Sequence, residues 1–107
     1  MRYVEFGKTD EKVSEMCLGT MMFGVRCDQV ESDRILGAAL EQGVNFIDTA
    51  PMYGNGLTEE ILGQIMRGRR DQLFVGTKVH KGVDADSILT SLDESLARLR
   101  LDYVDLY

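Results

Sequence analysis

The stretch GVNFIDTAPMYGNGLTEEILG, residues 43 to 63, packs the signals of a strand, a turn and a helix into one short run. Val44 to Asp48 is apolar, contains β-branched residues and lies between Gly43 and Pro51, the only proline, so it reads as a short buried strand. Thr58 with Glu59 and Glu60 offers an N-cap and an acidic first turn ahead of Ile61, Leu62, Ile65 and Met66, predicting a helix that ends near Gly68. Between them, GNGLTE begins like a glycine-rich dinucleotide loop. It lacks the third glycine, however, and does not join strand to helix directly, so Gly54 and Gly56 read as turn residues.

The same order recurs on both sides. MCLGT (16–20) is a short apolar strand ending at a glycine, and Asp28 with Glu31 resembles a capping box for a helix over about 29–42, with Ile35, Leu36, Ala39 and Leu40 on one face. LFVGTK (73–78) is a further strand. Asp84 or Asp86 can cap a third helix, whose Ile88, Leu89, Leu92, Leu96 and Leu99 form a stripe, and YVDLY (103–107) reads as a last strand. The strands at 16, 44, 73 and 103 start roughly 30 residues apart, the size of a parallel crossover unit. Ahead of them, RYVEF (2–6) and KVSEM (12–16) flank the turn-rich GKTDE and predict a β-hairpin. Regular βα alternation implies a parallel sheet with right-handed crossovers, either doubly wound or part of a (β/α)8 barrel; spacing alone does not separate the two.

The composition of the 107 residues is that of a globular domain. With 12 basic and 18 acidic side chains the formal charge is -6, which disfavours nucleic acid and anionic membranes as partners. The one basic cluster, Arg67, Arg69 and Arg70, falls at a predicted helix end, where cations complement exposed carbonyls. No apolar run is long enough to span a bilayer, and MRYVEFGKTDEK has no apolar middle segment, so a cytosolic (cytoplasmic) location is expected. Cys17 and Cys27 have no metal-ligand spacing and read as reduced thiols.

In either architecture the functional face lies at the C-terminal ends of the strands. Asp48 and Lys78 end successive strands, and Tyr53 follows in the loop after Asp48. A lysine and a carboxylate at neighbouring strand ends form a natural pair, structural or catalytic. Tyrosine favours the catalytic reading, because a nearby ammonium favours the tyrosinate and makes a phenol a better proton donor. Met21, Met22, Phe23 and Met52 are candidates for an apolar substrate pocket, although methionine more often fills core gaps. His80, the only histidine, reads as a solvated loop residue, and Asp105 as a hydrogen-bonded structural group.

The blocks CLGTMMFG, GVNFIDTAPMYGNGLTEEILG, VGTKV and LARLRLDYVDLY, in this order and spacing, closely resemble the N-terminal part of the aldo-keto reductases. The resemblance implies the first part of a (β/α)8 TIM barrel. Residues 1–15 would form a hairpin plug, and 16–107 barrel strands one to four with their helices. It also implies reduction of small aldehydes or ketones with NADPH, or NADH. Carried over by position, Tyr53 matches the proton donor, Lys78 the residue that tunes it, and Asp48 the carboxylate that supports Lys78. Gly19, Thr20 and Met21, with Asp48, match the edge of the cofactor site.

The family's catalytic histidine lies beyond the segment that matches YVDLY, as do the later strands and most of the cofactor site. The 107 residues are therefore expected to act as a fragment with little activity alone. Its open sheet edges should favour self-association, including a two-fold arrangement in which two copies close one barrel. Some relatives serve as auxiliary subunits of potassium channels, which leaves a cofactor-binding regulatory subunit as the alternative reading.

Overall fold

The computed structural model describes residues 1–107. Strands β1 (Tyr3–Glu5) and β2 (Lys12–Ser14) form the expected antiparallel hairpin. Then follow β3 (Cys17–Gly19), α1 (Gln29–Glu41), β4 (Phe46–Asp48), a 3₁₀ turn (Tyr53–Gly56), α2 (Leu57–Ile65), a second 3₁₀ turn (Arg70–Gln72), β5 (Phe74–Gly76) and α3 (Ala85–Leu99). Strands β3, β4 and β5 lie side by side in that order and all parallel, with Gly19, Asp48 and Gly76 in one register row. Each crossover carries one helix, and the result is a partial barrel wall rather than a closed barrel.

The two faces of this sheet differ because paired residues in register point the same way. Ile47 and Val75 are fully buried against Leu36, Leu62 and Leu99 of the three helices, and Leu18 packs beside them. Phe46 and Phe74 point to the opposite face, where Phe6 follows β1 and meets their rings at centroid distances of 5.9 and 4.9 Å. Asn45 fastens the hairpin to the start of β4. Its side chain accepts from the Ser14 amide at 2.7 Å and donates to the Lys12 carbonyl at 3.0 Å. The hairpin thus lies at the N-terminal end of the inner face and leaves the opposite end free.

Several sequence expectations change in detail. Asp28 does cap α1 and Asp84 caps α3, each accepting an amide three residues on. Thr58, by contrast, is inside α2, and Gly56 holds the N-cap position with φ 95°. The Thr58 hydroxyl is buried and donates to the Phe23 carbonyl at 2.7 Å, so tertiary packing has taken the side chain that would have capped the helix. On α3 the deepest residues are Ser91, Ser95 and Leu99, whereas Leu89 is 61% exposed. Small side chains let α3 sit close to its neighbours, and part of the leucine stripe faces outward.

Residues 103–107 do not form a strand. They make a single parallel bridge, Leu106 to Gly76. The Asp105 carboxylate takes the Val75 amide at 2.7 Å and the Arg70 guanidinium at 2.8 Å, so a side chain occupies a donor that a continuous ladder would use. Asp105 is thus a hydrogen-bonded structural group. In the basic cluster, Arg69 donates to the Ile65 carbonyl at 2.9 Å at the end of α2, while Arg70 also covers the Tyr103 ring at 4.2 Å.

Candidate active site

The C-terminal ends of the three parallel strands gather the residues singled out by the sequence. Asp48 closes β4, and Lys78 lies two residues beyond the end of β5. The Lys78 ammonium donates to Asp48 Oδ1 at 2.7 Å and to the Thr49 carbonyl at 2.8 Å. These two bonds aim the ammonium across the strand ends, 5.2 Å from the centroid of the Tyr53 ring. Burial pulls the Lys78 pKa down, but the Asp48 hydrogen bond and charge, helped by the phenol of Tyr53, outweigh it and hold the ammonium above its ordinary value. Lys78 is therefore a fixed positive charge at neutral pH. The pair is about two-fifths exposed, so solvent reaches it from the open side of the sheet.

Tyr53 is half-buried at the start of the 3₁₀ turn. Its turn reverses the chain through three consecutive left-handed residues, Gly54 (φ 55°), Asn55 (φ 54°) and Gly56 (φ 95°). Two of these are glycine, the residue that adopts this region without a Cβ penalty, and asparagine is among the next most tolerant. The chain can therefore leave β4, present Tyr53 at the strand end and enter α2 within a few residues.

On the other side of Asp48, Thr20 is fully buried. Its hydroxyl and its amide both donate to the Asp48 carbonyl, at 2.9 and 3.2 Å, which anchors the β3 end to the β4 end. Gly19 and Met21 flank it and are exposed. A Cβ added at Gly19 would meet nothing within 4 Å, so open space lies above this strand end, next to the Asp48 carboxylate.

The remaining candidates separate. Met21, Met22 and Met52 are exposed near the strand ends, but Phe23 is 3% exposed and belongs to the core, so it does not line a pocket there. His80 is exposed and lines a polar cavity of about 390 Å³ with Glu60, Glu94 and Arg98. No hydrogen bond joins it to Asp48, Tyr53 or Lys78. Cys17 and Cys27 are free; burial and the Asp48 charge push the Cys17 thiol up, against the smaller pull of Lys78.

Glu59 has an unexpected place. Read from the sequence as an acidic first-turn residue, it is fully buried, accepting from the Thr77 hydroxyl at 2.6 Å and from Arg98 Nε at 2.7 Å. The available signal was its face: Glu59 shares helical spacing with Leu62, Gly63 and Met66, all of them buried.

Comparison with known proteins identifies the family. The profile described as "Aldo/keto reductase family" matches residues 15–107. An oxidoreductase of Bacillus subtilis strain 168, YrpG, is 38% identical over the whole chain, which spans 39% of that relative. A probable voltage-gated potassium channel subunit beta of Oryza sativa is also 38% identical, over 99% of the chain and 36% of its own length. Among solved structures, the holo form of aldo-keto reductase AKR11C1 from Bacillus halodurans superposes with a TM-score of 0.88 at 33% identity, covering all of the chain and 39% of its own. The thermostable aldo-keto reductase Tm1743, solved with the inhibitor epalrestat, gives a TM-score of 0.84 at 36% identity, covering the whole chain and 42% of its own. The chain thus spans well under half the length of the relatives it matches. The match extends from before the first barrel strand through Tyr107 and includes the segments that carry Asp48, Tyr53 and Lys78, and on this ground the chain belongs to the aldo/keto reductase family.

Proposed function

We propose that this site reduces a small aldehyde or ketone to the corresponding alcohol, as part of a NADPH- or NADH-dependent enzyme. The carrying observation is the convergence of Asp48, Lys78 and Tyr53 at neighbouring strand ends, with the ammonium 2.7 Å from the carboxylate and 5.2 Å from the ring centroid. Gly19, Thr20, Met21 and Asp48 would hold the nicotinamide end of the cofactor, which supplies the hydride and both electrons to the carbonyl carbon.

The residues of the chain then have distinct tasks. Tyr53 donates its phenolic proton to the carbonyl oxygen as negative charge grows there, breaking its O–H bond and completing the alcohol. The fixed ammonium of Lys78 stabilises the charge left on the phenol oxygen, which regains a proton from water. Asp48 keeps Lys78 charged and aimed, and the Thr49 carbonyl prevents it from swinging away. Thr20 holds the two strand ends at fixed separation. Exposed Met21, Met22 and Met52 suit an apolar substituent on the carbonyl. Family resemblance attributes a histidine and the rest of the cofactor site to segments beyond residue 107, so the 107 residues alone should turn over weakly.

The test is NADPH oxidation with small aldehydes, measured on these 107 residues joined to the remaining length of the Bacillus subtilis relative YrpG. Aldehyde-dependent oxidation that is lost with Tyr53→Phe supports the reading; oxidation independent of Tyr53 refutes it. The channel-subunit relatives favour a second reading, a cofactor-binding regulatory subunit on the same scaffold. Tight NADPH binding without turnover would select it.

A further inference from the structure

We infer that Glu59, held by Arg98, is a positioning residue that fixes Lys78 relative to Tyr53. This deepens the proposed function and rests on its reading of Tyr53 and Lys78.

The argument begins with burial. Glu59 has no solvent exposure, and an isolated carboxylate there would be strongly destabilising. Both of its oxygens are engaged: Oε1 accepts from Thr77 at 2.6 Å and Oε2 from Arg98 at 2.7 Å. A buried ion pair adds little net stability beyond what apolar packing of equal volume would supply, but its hydrogen bonds fix direction. What Glu59 orients is informative, because Thr77 immediately precedes Lys78.

Thr77 is 3% exposed and held from two sides, by its hydroxyl on α2 and by its amide on the Leu106 carbonyl at 3.0 Å. The Lys78 backbone leaves β5 from this clamp. Arg98 serves the other catalytic segment: its Cδ lies 3.2 Å from the position a Cβ on Gly56 would take, and Gly56 ends the turn that begins at Tyr53. The ion pair therefore bonds the strand end that carries the lysine and lies beside the turn that carries the tyrosine.

α2 and α3 are brought together for this contact one turn further along. Gly63, four residues after Glu59, faces the Arg98 and Leu99 carbonyls so closely that a Cβ would come within 2.6 and 2.7 Å of them. Glu59 thus meets Arg98 one turn from a close approach of the two helix backbones. A pair that only joined the helices would need no bond to Thr77.

The test uses the 107-residue chain, isotopically labelled for NMR, and reads nuclear Overhauser contacts between the Lys78 methylenes and the Tyr53 ring. The wild type should show them. Thr77→Val, which removes the hydroxyl at nearly constant volume, should lose them, and Thr77→Ser should retain them, while the Phe6, Phe46 and Phe74 contacts stay unchanged in both. Undiminished Lys78 to Tyr53 contacts in Thr77→Val, or their absence from the wild type, would overturn the inference. If Thr77→Val does not fold, Arg98→Lys carries the same test, with weakened contacts supporting and full contacts overturning it. Carbonyl reduction enters separately: a failure of the chain joined to the relative's remaining length to reduce carbonyls would remove the proposed function and leave the contact result standing. Intact turnover with intact contacts in Thr77→Val would remove the positioning role alone.

Discussion

The Lys78 ammonium stands 5.2 Å from the centroid of the Tyr53 ring, although the two residues belong to different strand-end segments. The left-handed turn after Tyr53 brings the ring to the strand end, and Asp48 and the Thr49 carbonyl each accept a hydrogen bond from the ammonium. A phenol close to a fixed cation is equipped to release a proton, and its substitution is the first prediction. Tyr53→Phe should reduce carbonyl turnover in the completed barrel by a factor of about 10²–10⁴ with the fold unchanged, as measured by steady-state kinetics and circular dichroism.

Lys78→Met should remove turnover to a similar degree through a different route. It leaves Asp48 without its cation and removes the charge that stabilises the ionised phenol. Asp48→Asn preserves an acceptor near the ammonium but no longer supplies negative charge. It should therefore be less damaging than Lys78→Met in the same assay, and the opposite ranking would argue against the assigned roles.

The pH dependence of stability has a sign at each end. Lys78 is raised above its ordinary 10.5 in the folded state, since its Asp48 and Tyr53 interactions together outweigh burial. Its contribution is complete below 10.5 and is lost as pH climbs through the higher folded value. Asp84 is lowered from its ordinary 3.8 by hydrogen bonds from the Ser87 hydroxyl and amide. Its contribution is complete above 3.8 and is lost as pH falls through the lower folded value. Denaturant midpoints across pH should show Lys78→Met flattening the alkaline limb and Asp84→Asn flattening the acid limb while leaving the alkaline limb unchanged.

Gly63→Ala tests the approach of α2 to α3. The new methyl would fall within 2.6 Å of the Arg98 carbonyl oxygen, a backbone atom that cannot turn aside. Destabilisation of about 1–3 kcal/mol is expected from such overpacking, measured by urea unfolding. By contrast, Gly19→Ala enters open space and should cost no comparable stability while hindering cofactor binding.

Much of this arrangement was legible in the sequence, for identifiable reasons. Apolar runs bounded by glycine or proline located β3, β4 and β5, and Asp28 and Asp84 marked their helix starts because each caps through its own side chain. Asp48, Tyr53 and Lys78 stood out because the C-terminal ends of parallel strands lie at one end of the sheet. Local signals failed where tertiary contacts redirect a side chain. Thr58 looks like an N-cap but bonds Phe23, and YVDLY looks like a strand but contributes one bridge, with Asp105 occupying the Val75 amide. Glu59 resembled a solvated first-turn acid because neither Thr77 nor Arg98 is near it in sequence.

The most direct test follows the hydride and the proton together. NADPH deuterated at the transferring position of its nicotinamide is incubated with a small aldehyde and the completed barrel, and the alcohol is analysed by mass spectrometry and NMR. The account predicts deuterium on the former carbonyl carbon with the wild-type residues and almost no labelled alcohol with Tyr53→Phe. Unlabelled alcohol, no alcohol, or equal labelled product from Tyr53→Phe would contradict it.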